Sequence, residues 1–427
     1  MAPSLLPLPI AFQGNSAVAG TSNVAAEDVP FQRWYNFKEA FTPSFVAEMI
    51  ASMPFRVGTC LDPFSGSGTT ALTCQFMGVR PTTIEVSPFL ADLAEAKLVL
   101  YDRDELQMDR RAVADRCAIA DFLGEDVPPF PGAPETFVEP GKQDRWIFDL
   151  QIARRIQVYR DAIEAIENAA HRRLFRVLLG SVLVPVSNVT ISGKGRRYRQ
   201  HWELRTRGPS DVDRLFHEAF VRAYFDICRY PERACSEYTL LRGDSRERIT
   251  ETEPADLVLF SPPYPNSFDY TDIYNVELWA LGYLSNTGDN RVLRESTLRS
   301  HVQIKREFAV GDHGSPTLAR TLQELRAAKE TLWNTNLPEM VSAYFEDLGG
   351  ILRDAKARLT PRGHVVMVVG DSRYAHVMVD VPQIVREMLP GLGFECQEVR
   401  AVRSMRSSPQ HGGGLDLRES LIRLVPF

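Results

Sequence analysis

No apolar run in the sequence reaches the roughly 18 residues that a membrane-crossing helix needs, so no membrane span is expected. Cysteine is sparse: Cys60, Cys74, Cys117, Cys228, Cys235 and Cys396 form no Cys-x-x-Cys pair. That excludes the usual zinc spacing and a disulfide framework, and it fits a reducing, cytoplasmic compartment. The eight histidines show no His-Glu-x-x-His or related spacing, so no metal site is expected. There is no internal repeat. The apolar start MAPSLLPLPIAF lacks the preceding basic residue of a secretory signal, and residues 1–30 are expected to form a loose, flexible leader. Basic residues are not in excess either, since the formal net charge is −6. Nucleic-acid binding stays open on that count, because it needs a local basic stripe and not a basic total.

What is present suits a soluble globular chain. Its 427 residues, 44% hydrophobic and 24% charged, fit one enlarged domain or two. A strand over 57–61, a glycine-rich turn at 64–68, a helix to 75, a strand over 81–86 and a helix over 88–100 follow in order. That order opens a parallel α/β sheet. Residues 125–143 are rich in proline, glycine and acid and read as an exposed connection. Two helices are expected over 145–184. Another is expected over 211–230, where Leu215, Phe216, Ala219, Phe220, Ala223, Tyr224 and Ile227 recur at helical spacing. Sheet-like sequence resumes at 238–242. The unbroken runs Leu257-Val258-Leu259-Phe260 and 365–369 suit strands buried on both faces. A helix over 338–358 and a closing antiparallel pair near 394–402 and 420–425 complete the pattern. We therefore expect a doubly wound α/β domain from 31–100 and 237–427, with a mainly helical insertion at 101–236.

The stretch Asp62-Pro63-Phe64-Ser65-Gly66-Ser67-Gly68-Thr69-Thr70 lies between a predicted strand and a predicted helix. Its glycines allow a sharp turn and close approach of backbone to a ligand. A P-loop is excluded, because the position of its phosphate-binding lysine holds Thr69. A dinucleotide fingerprint fits formally, with Gly66, Gly68, Ala71 and the acid Glu85 at the end of the next strand. Asp62 argues against it: a carboxylate there repels a pyrophosphate but tolerates the cationic methionine end of S-adenosylmethionine. Glu85 is placed to accept hydrogen bonds from ribose hydroxyls.

The second chemical segment is Ser261-Pro262-Pro263-Tyr264, directly after the buried run 256–260. Consecutive prolines stiffen the turn and leave carbonyl oxygens free as acceptors. The lone pair of an aromatic –NH2 is delocalised into its ring and is a poor nucleophile. Acceptors at Ser261 Oγ and the Pro262 carbonyl would hold both N–H bonds and favour a pyramidal nitrogen, with Tyr264 as a stacking surface for a flipped base.

With both segments in hand, the chain resembles the amino-methyltransferases of DNA, the N4-cytosine and N6-adenine enzymes. DPFSGSGTT is similar to their cofactor motif and SPPY to their catalytic motif. The segment 36–43, with Phe37, Lys38 and Thr42, looks like the motif beside the methionine part of the cofactor. Glu85 takes the place of their ribose-binding acid. Asp244 and Ser245 stand where the cofactor adenine is contacted. The stretch SPPYPNSFDYTDIYNVELWALGY and the late LRESLIRL are also similar. The resemblance implies a seven-stranded Rossmann-like methyltransferase sheet, S-adenosylmethionine as cofactor, double-stranded DNA as substrate, and a cognate restriction endonuclease as a partner of such enzymes. It covers residues 31–100 and 238–427; the insertion is covered poorly. Serine at the head of the catalytic motif is commoner among the N4-cytosine enzymes, so cytosine is favoured over adenine. An RNA-modifying relative, a nucleic-acid-binding module without chemistry, and a nicotinamide dehydrogenase are the competing readings. The last leaves SPPY unexplained.

Within the insertion, residues 193–207 carry Lys194, Arg196, Arg197, Arg199, Arg205 and Arg207 against the single acid Glu203, with Tyr198, His201 and Trp202 interleaved. Such density attracts phosphates, and the aromatics are candidates to stack at an opened base pair; the alternative is a solvated loop. A thinner cluster, Arg400, Arg403 and Arg406 followed by residues 410–414, is a second candidate for the DNA cleft.

Overall fold

The computed structural model describes residues 8–12, 28–37, 40–123, 128–192, 195–265, 268–304, 306, 308, 311, 313–405 and 417–427. Lys38, Lys194, Arg406 and residues 410–414 lie outside the described residues.

The first half of the sheet domain follows the predicted order. Thr42 opens α1 (Pro43–Ala51) by accepting from the Phe45 amide at 3.2 Å, and Pro43 fills a first-turn position where its missing N–H is no loss. Then come β1 (Thr59–Asp62), α2 (Thr69–Met77), β2 (Arg80–Glu85) and α3 (Pro88–Leu98). The insertion supplies α4 (Arg103–Leu123), α5 (Leu150–Glu164), α6 (Ala169–Val186), a hairpin of β3 (Val189–Ser192) with β4 (Gly195–Tyr198), and α7 (Pro209–Arg229). The chain returns through β5 (Thr239–Arg242), α8 (Ser245–Arg248) and β6 (Ala255–Phe260). Five helices follow: α9 (Tyr270–Ile273), α10 (Asn275–Ala280), α11 (Thr287–Glu295), α12 (Pro316–Ala327) and α13 (Leu337–Ala357). The end of the chain forms β7 (Leu359–Gly370), the short pair β8 (Ser372–Tyr374) and β9 (Val377–Val379), α14 (Val381–Leu392), β10 (Phe394–Met405) and β11 (Leu417–Pro426).

Seven strands form one sheet in the order β10-β11-β7-β6-β1-β2-β5. Strands β5, β2, β1, β6 and β7 are parallel, and β11 runs antiparallel between β7 and β10. This is the doubly wound, mostly parallel sheet expected from the sequence. The order reverses between β1 and β6, so their carboxyl ends open the crevice where such sheets bind ligands. Asp62 ends β1 and Ser261 follows β6 directly.

Every residue of β6 is buried, because helices cover both faces of the sheet. On one face α12, α13 and α14 pack over Val258, Phe260, Val365 and Met367. The insertion shares its core with the sheet domain: Phe89, Leu90 and Leu93 of α3 join Leu174, Phe175 and Leu178 of α6 and Phe216 and Phe220 of α7 in one cluster.

One sequence expectation is corrected, and one strand is new. Residues 8–12 are no loose leader: Phe12 is 1% exposed, with its ring 4.5 Å from Phe76 and 5.2 Å from Tyr230. Burying such a ring is worth about 1.5–3 kcal/mol toward the cost of ordering the segment. The basic stretch carries β4, paired residue by residue with the β-branched run of β3. Gly195-Arg196-Arg197-Tyr198 has no apolar alternation, so the sequence alone gave no sign of that strand.

Candidate active site

The glycine turn is shaped by two left-handed residues. Gly66 has φ 51° and Gly68 φ 78°, and a Cβ on Gly68 would sit 2.8 Å from that of Ala94, so α2 starts in close contact with α3. Behind the turn lies Lys97, with no exposed surface. Its Nζ donates to the Ser67 carbonyl at 2.7 Å and to Gln32 Oε1 at 3.2 Å, and burial pushes the amine down to about 7.

Two buried carboxylates face the crevice. Asp62 Oδ1 accepts from the Phe64 amide at 2.9 Å, and burial pushes its carboxyl up to about 6. Glu85 Oε2 accepts from the Gly66 amide at 2.7 Å and Oε1 from the Ser87 amide at 2.9 Å. The same acid thus ties the end of β2 to the glycine turn. Burial pushes it up to about 7, the two amide donors oppose the rise, and Asp62 adds to it. Each carboxylate oxygen keeps a lone pair for a ligand hydroxyl.

These residues line one pocket enclosing about 1110 Å³, part of it open to solvent. The structure brings Phe37, Asp62, Pro63, Phe64, Gly66, Thr69, Thr70, Glu85, Asp244, Ser245, Ser261 and Pro263 to its wall. Of the sequence candidates, Gly68 and Thr42 act beside it: Gly68 sets the turn, and Thr42 caps α1. Asp244 caps α8 and is paired with Arg246, and Ser245 Oγ donates to the Pro63 carbonyl. Pro262 is buried and not part of the lining. Among the described residues, no group of three or more His, Cys, Asp or Glu is placed to hold a metal ion.

The Ser261–Tyr264 loop is held by a relay that sequence reasoning missed. Ser261 Oγ donates to the Tyr264 hydroxyl at 3.2 Å, and Tyr264 donates to Glu419 Oε1 on β11 at 2.7 Å. Arg403 on β10 donates to Glu419 Oε2 at 2.6 Å. Burial and the Glu419 carboxylate hold the Tyr264 phenol well above its ordinary range, so it stays a donor. Ser261 spends its only proton on Tyr264 and keeps both lone pairs to accept. Tyr264 itself is anchored to β11 and does not line the pocket. Glu419 falls within LRESLIRL, whose likeness to a family was legible while its role was not. Arg403 serves here as the partner of Glu419. Arg400 is paired with Glu398 at 3.2 Å.

The far wall was also missed. It is made by Phe268, Tyr270 and Thr271, from the loop after Tyr264 into α9, and by Leu293, Ser296, Thr297, Leu298, Ser300 and His301. No spacing rule marks these residues.

On the hairpin, three of the expected DNA-binding arginines have protein partners. Arg196 donates to Asn275 Oδ1 at 2.9 Å and lies over the Phe137 ring at 5.8 Å. Arg199 donates to the Val184 carbonyl at 3.0 Å, and Arg205 to those of Ser187 at 2.5 Å and Pro185 at 3.3 Å. These carbonyls end α6, where the last turn of any helix has acceptors without intrahelical donors. Arg197 is exposed and Arg207 half-buried, and neither side chain bonds a described residue. Trp202, read as a stacking candidate, is instead buried edge-on against Trp146 at 4.9 Å.

No model of a known protein family matches the chain. Curated relatives do. It is 22% identical over 451 residues to "Type II methyltransferase M.AvaI" of Nostoc sp., covering 94% of this chain and 86% of that one. It is 23% identical over 449 residues to "Type II methyltransferase M.BsoBI" of Geobacillus stearothermophilus, covering 93% and 86%. A stretch of 72 residues, 17% of this chain and 13% of the relative, is 42% identical to "Type II methyltransferase M.MjaII" of Methanocaldococcus jannaschii. The resemblance read from short motifs therefore extends over most of the chain in two of these relatives.

Proposed function

We propose, from the premise that this chain is a relative of the Type II DNA methyltransferases, that it moves a methyl group from S-adenosylmethionine to the N4 amine of cytosine in double-stranded DNA. The observation that carries this reading is the meeting of Asp62, Glu85 and Ser261 in one pocket at the point where the strand order reverses. The pocket fits the cofactor's chemistry. Buried carboxylates suit ribose hydroxyls and a cationic methionine end, and Phe37, Phe41 and Leu90 offer an apolar wall.

When bound, S-adenosylmethionine supplies an electrophilic methyl group. The protein's part is to position the amine. Ser261 Oγ, with its proton committed to Tyr264, accepts one N–H bond of the base; the Pro262 carbonyl, expected from the sequence to accept the other, belongs to a buried residue outside the pocket lining. The bond to Ser261 holds the nitrogen lone pair toward the pocket and favours in-line displacement without a covalent enzyme intermediate. Ser261 at the head of the loop, a residue commoner there among the N4-cytosine enzymes, supports cytosine over adenine. The test is nucleoside mass spectrometry of plasmid DNA from cells expressing the protein. N4-methylcytosine is expected; N6-methyladenine alone would overturn the choice of base, and no modified base would overturn the reading.

The hairpin and the stretch after it, to Arg207, form the proposed DNA-holding element, with Arg197 and Arg207 as the free cations among its described residues. Arg197→Ala is expected to reduce the slope of log affinity against log salt by about 0.9, the loss of one phosphate contact. Arg205→Ala, which uncaps α6, is expected to lower the melting temperature and leave that slope unchanged. An unaltered slope in Arg197→Ala, measured by fluorescence anisotropy across a salt series, removes Arg197 from the interface.

A further inference from the structure

Three of the five residues from Ser261 to Pro265 are prolines, so this loop has only the Ser261 and Tyr264 amides as main-chain donors. A segment so poor in its own hydrogen bonds depends on side chains from elsewhere to hold it. Glu419 holds one point, the Tyr264 hydroxyl. The next residue is held as well: the Pro265 carbonyl accepts from the Tyr374 hydroxyl at 2.7 Å, in a buried contact. Tyr374 is 4% exposed, and burial holds its phenol well above the ordinary range, so it stays a donor.

The fold gives that hydroxyl a fixed origin. β7 ends at Gly370 and β8 starts at Ser372, so the β8–β9 hairpin stands at the carboxyl end of β7. β7 lies parallel beside β6, from whose end the loop departs. Tyr374 and Val379 of the hairpin are packed into one core with α12, α13 and α14. Pro265 is also a junction. On one side of it lies Ser261; on the other, Phe268, Tyr270 and Thr271 already belong to the far wall of the pocket. Without the phenol, the Pro265 carbonyl is a buried acceptor that has lost its donor, and the backbone moves to find another.

We infer that Tyr374 is a positioning residue for methyl transfer: its hydroxyl, by fixing Pro265, sets where Ser261 stands relative to the opposite wall of the pocket. The inference rests on the proposed reaction. It adds to the Tyr264–Glu419 relay a second anchor, one that acts on the presentation of the amine and not on the binding of the cofactor.

The test pairs Tyr374→Phe with Val379→Ala in the full chain. The first keeps the ring and removes the donor. The second opens a cavity under the same hairpin and leaves the hydroxyl, so it reports what loosening the hairpin alone does. Methylation of plasmid DNA gives kcat and KM, and calorimetry gives the affinity for S-adenosylmethionine. Both variants are assayed well below their melting temperatures, and parental cofactor affinity shows that each is folded. Tyr374→Phe is expected to lower kcat about tenfold or more with KM for DNA unchanged, because displacing a reacting group costs rate and not binding. Val379→Ala is expected to melt lower and keep the parental kcat. Parental kcat in Tyr374→Phe would overturn the inference, as would a loss confined to KM or to cofactor affinity. An equal loss of kcat in Val379→Ala would also overturn it and leave Tyr374 as a support of the hairpin. If the parent itself neither binds S-adenosylmethionine nor methylates DNA, the proposed function fails, and this inference with it.

Discussion

Replacing Glu85 by alanine is expected to weaken S-adenosylmethionine binding by at least about 100-fold, because two hydroxyl hydrogen bonds to a carboxylate are lost together. Calorimetry measures the effect. The melting temperature is followed in parallel, since Glu85 also accepts from the Gly66 and Ser87 amides. A pH signature separates the two roles. Glu85 is pushed up to about 7 in the ligand-free protein, whereas hydroxyl donors require its ionised form. Cofactor affinity should therefore fall as pH drops below about 7. Binding near pH 6.5 should release a proton, visible as different heats in two buffers of unlike ionisation enthalpy. Without ligand the sign is opposite. A raised folded-state pKa contributes stability that is full below the ordinary value of 4.5 and lost as pH rises through about 7. The parent should thus be less stable at pH 8 than at pH 5 from this group, and Glu85→Gln should flatten that dependence. Normal cofactor binding by Glu85→Ala at pH 8 contradicts the assignment.

The second large effect is on turnover. Ser261→Ala is expected to lower kcat by about 10²–10³-fold, the usual cost of removing one positioned hydrogen-bonding group from a reacting centre, with cofactor affinity unchanged. The relay adds a finer expectation. Tyr264→Phe keeps the ring but frees the Ser261 proton and breaks the bond to Glu419 at 2.7 Å. A serine that must no longer donate to Tyr264 is free to turn its proton toward the amine, where it opposes the required acceptor geometry. Tyr264→Phe should therefore lower kcat by about tenfold or more with little change in KM. Tyr264→Ala should lower it further. Glu419→Gln should fall between the parent and Tyr264→Phe, because an amide oxygen still accepts from the phenol. Full turnover in Tyr264→Phe would show that the hydroxyl relay is only structural support.

Glu85 and Ser261 were legible for the same reason. Each lies at the carboxyl end of a strand that its own sequence announces, and the chemistry of turn and loop needs particular residue types on one continuous segment. Gly66 and Gly68 stand out because both are left-handed, and a Cβ would meet the Phe37 ring at the first and Ala94 of α3 at the second. Glu419 was not legible as a positioning residue. Its partner Tyr264 is 155 residues away, joined to it only because β11 inserts antiparallel beside β7.

The hairpin shows the limit most plainly. Charge counting predicted six cations for phosphate. The fold commits Arg199 and Arg205 to the terminal carbonyls of α6, because a helix end must find donors wherever they lie in sequence, and Arg196 to the side-chain oxygen of Asn275. Local pattern by itself placed the seven strands of the large sheet, the glycine turn and the two chemical segments, since backbone geometry and reactivity are properties of short stretches. Which side chains are free to meet a ligand was decided by tertiary structure alone. Hydrogen-bond partners and burial come from residues far apart in the chain, and they settle which donors and acceptors remain to be shared.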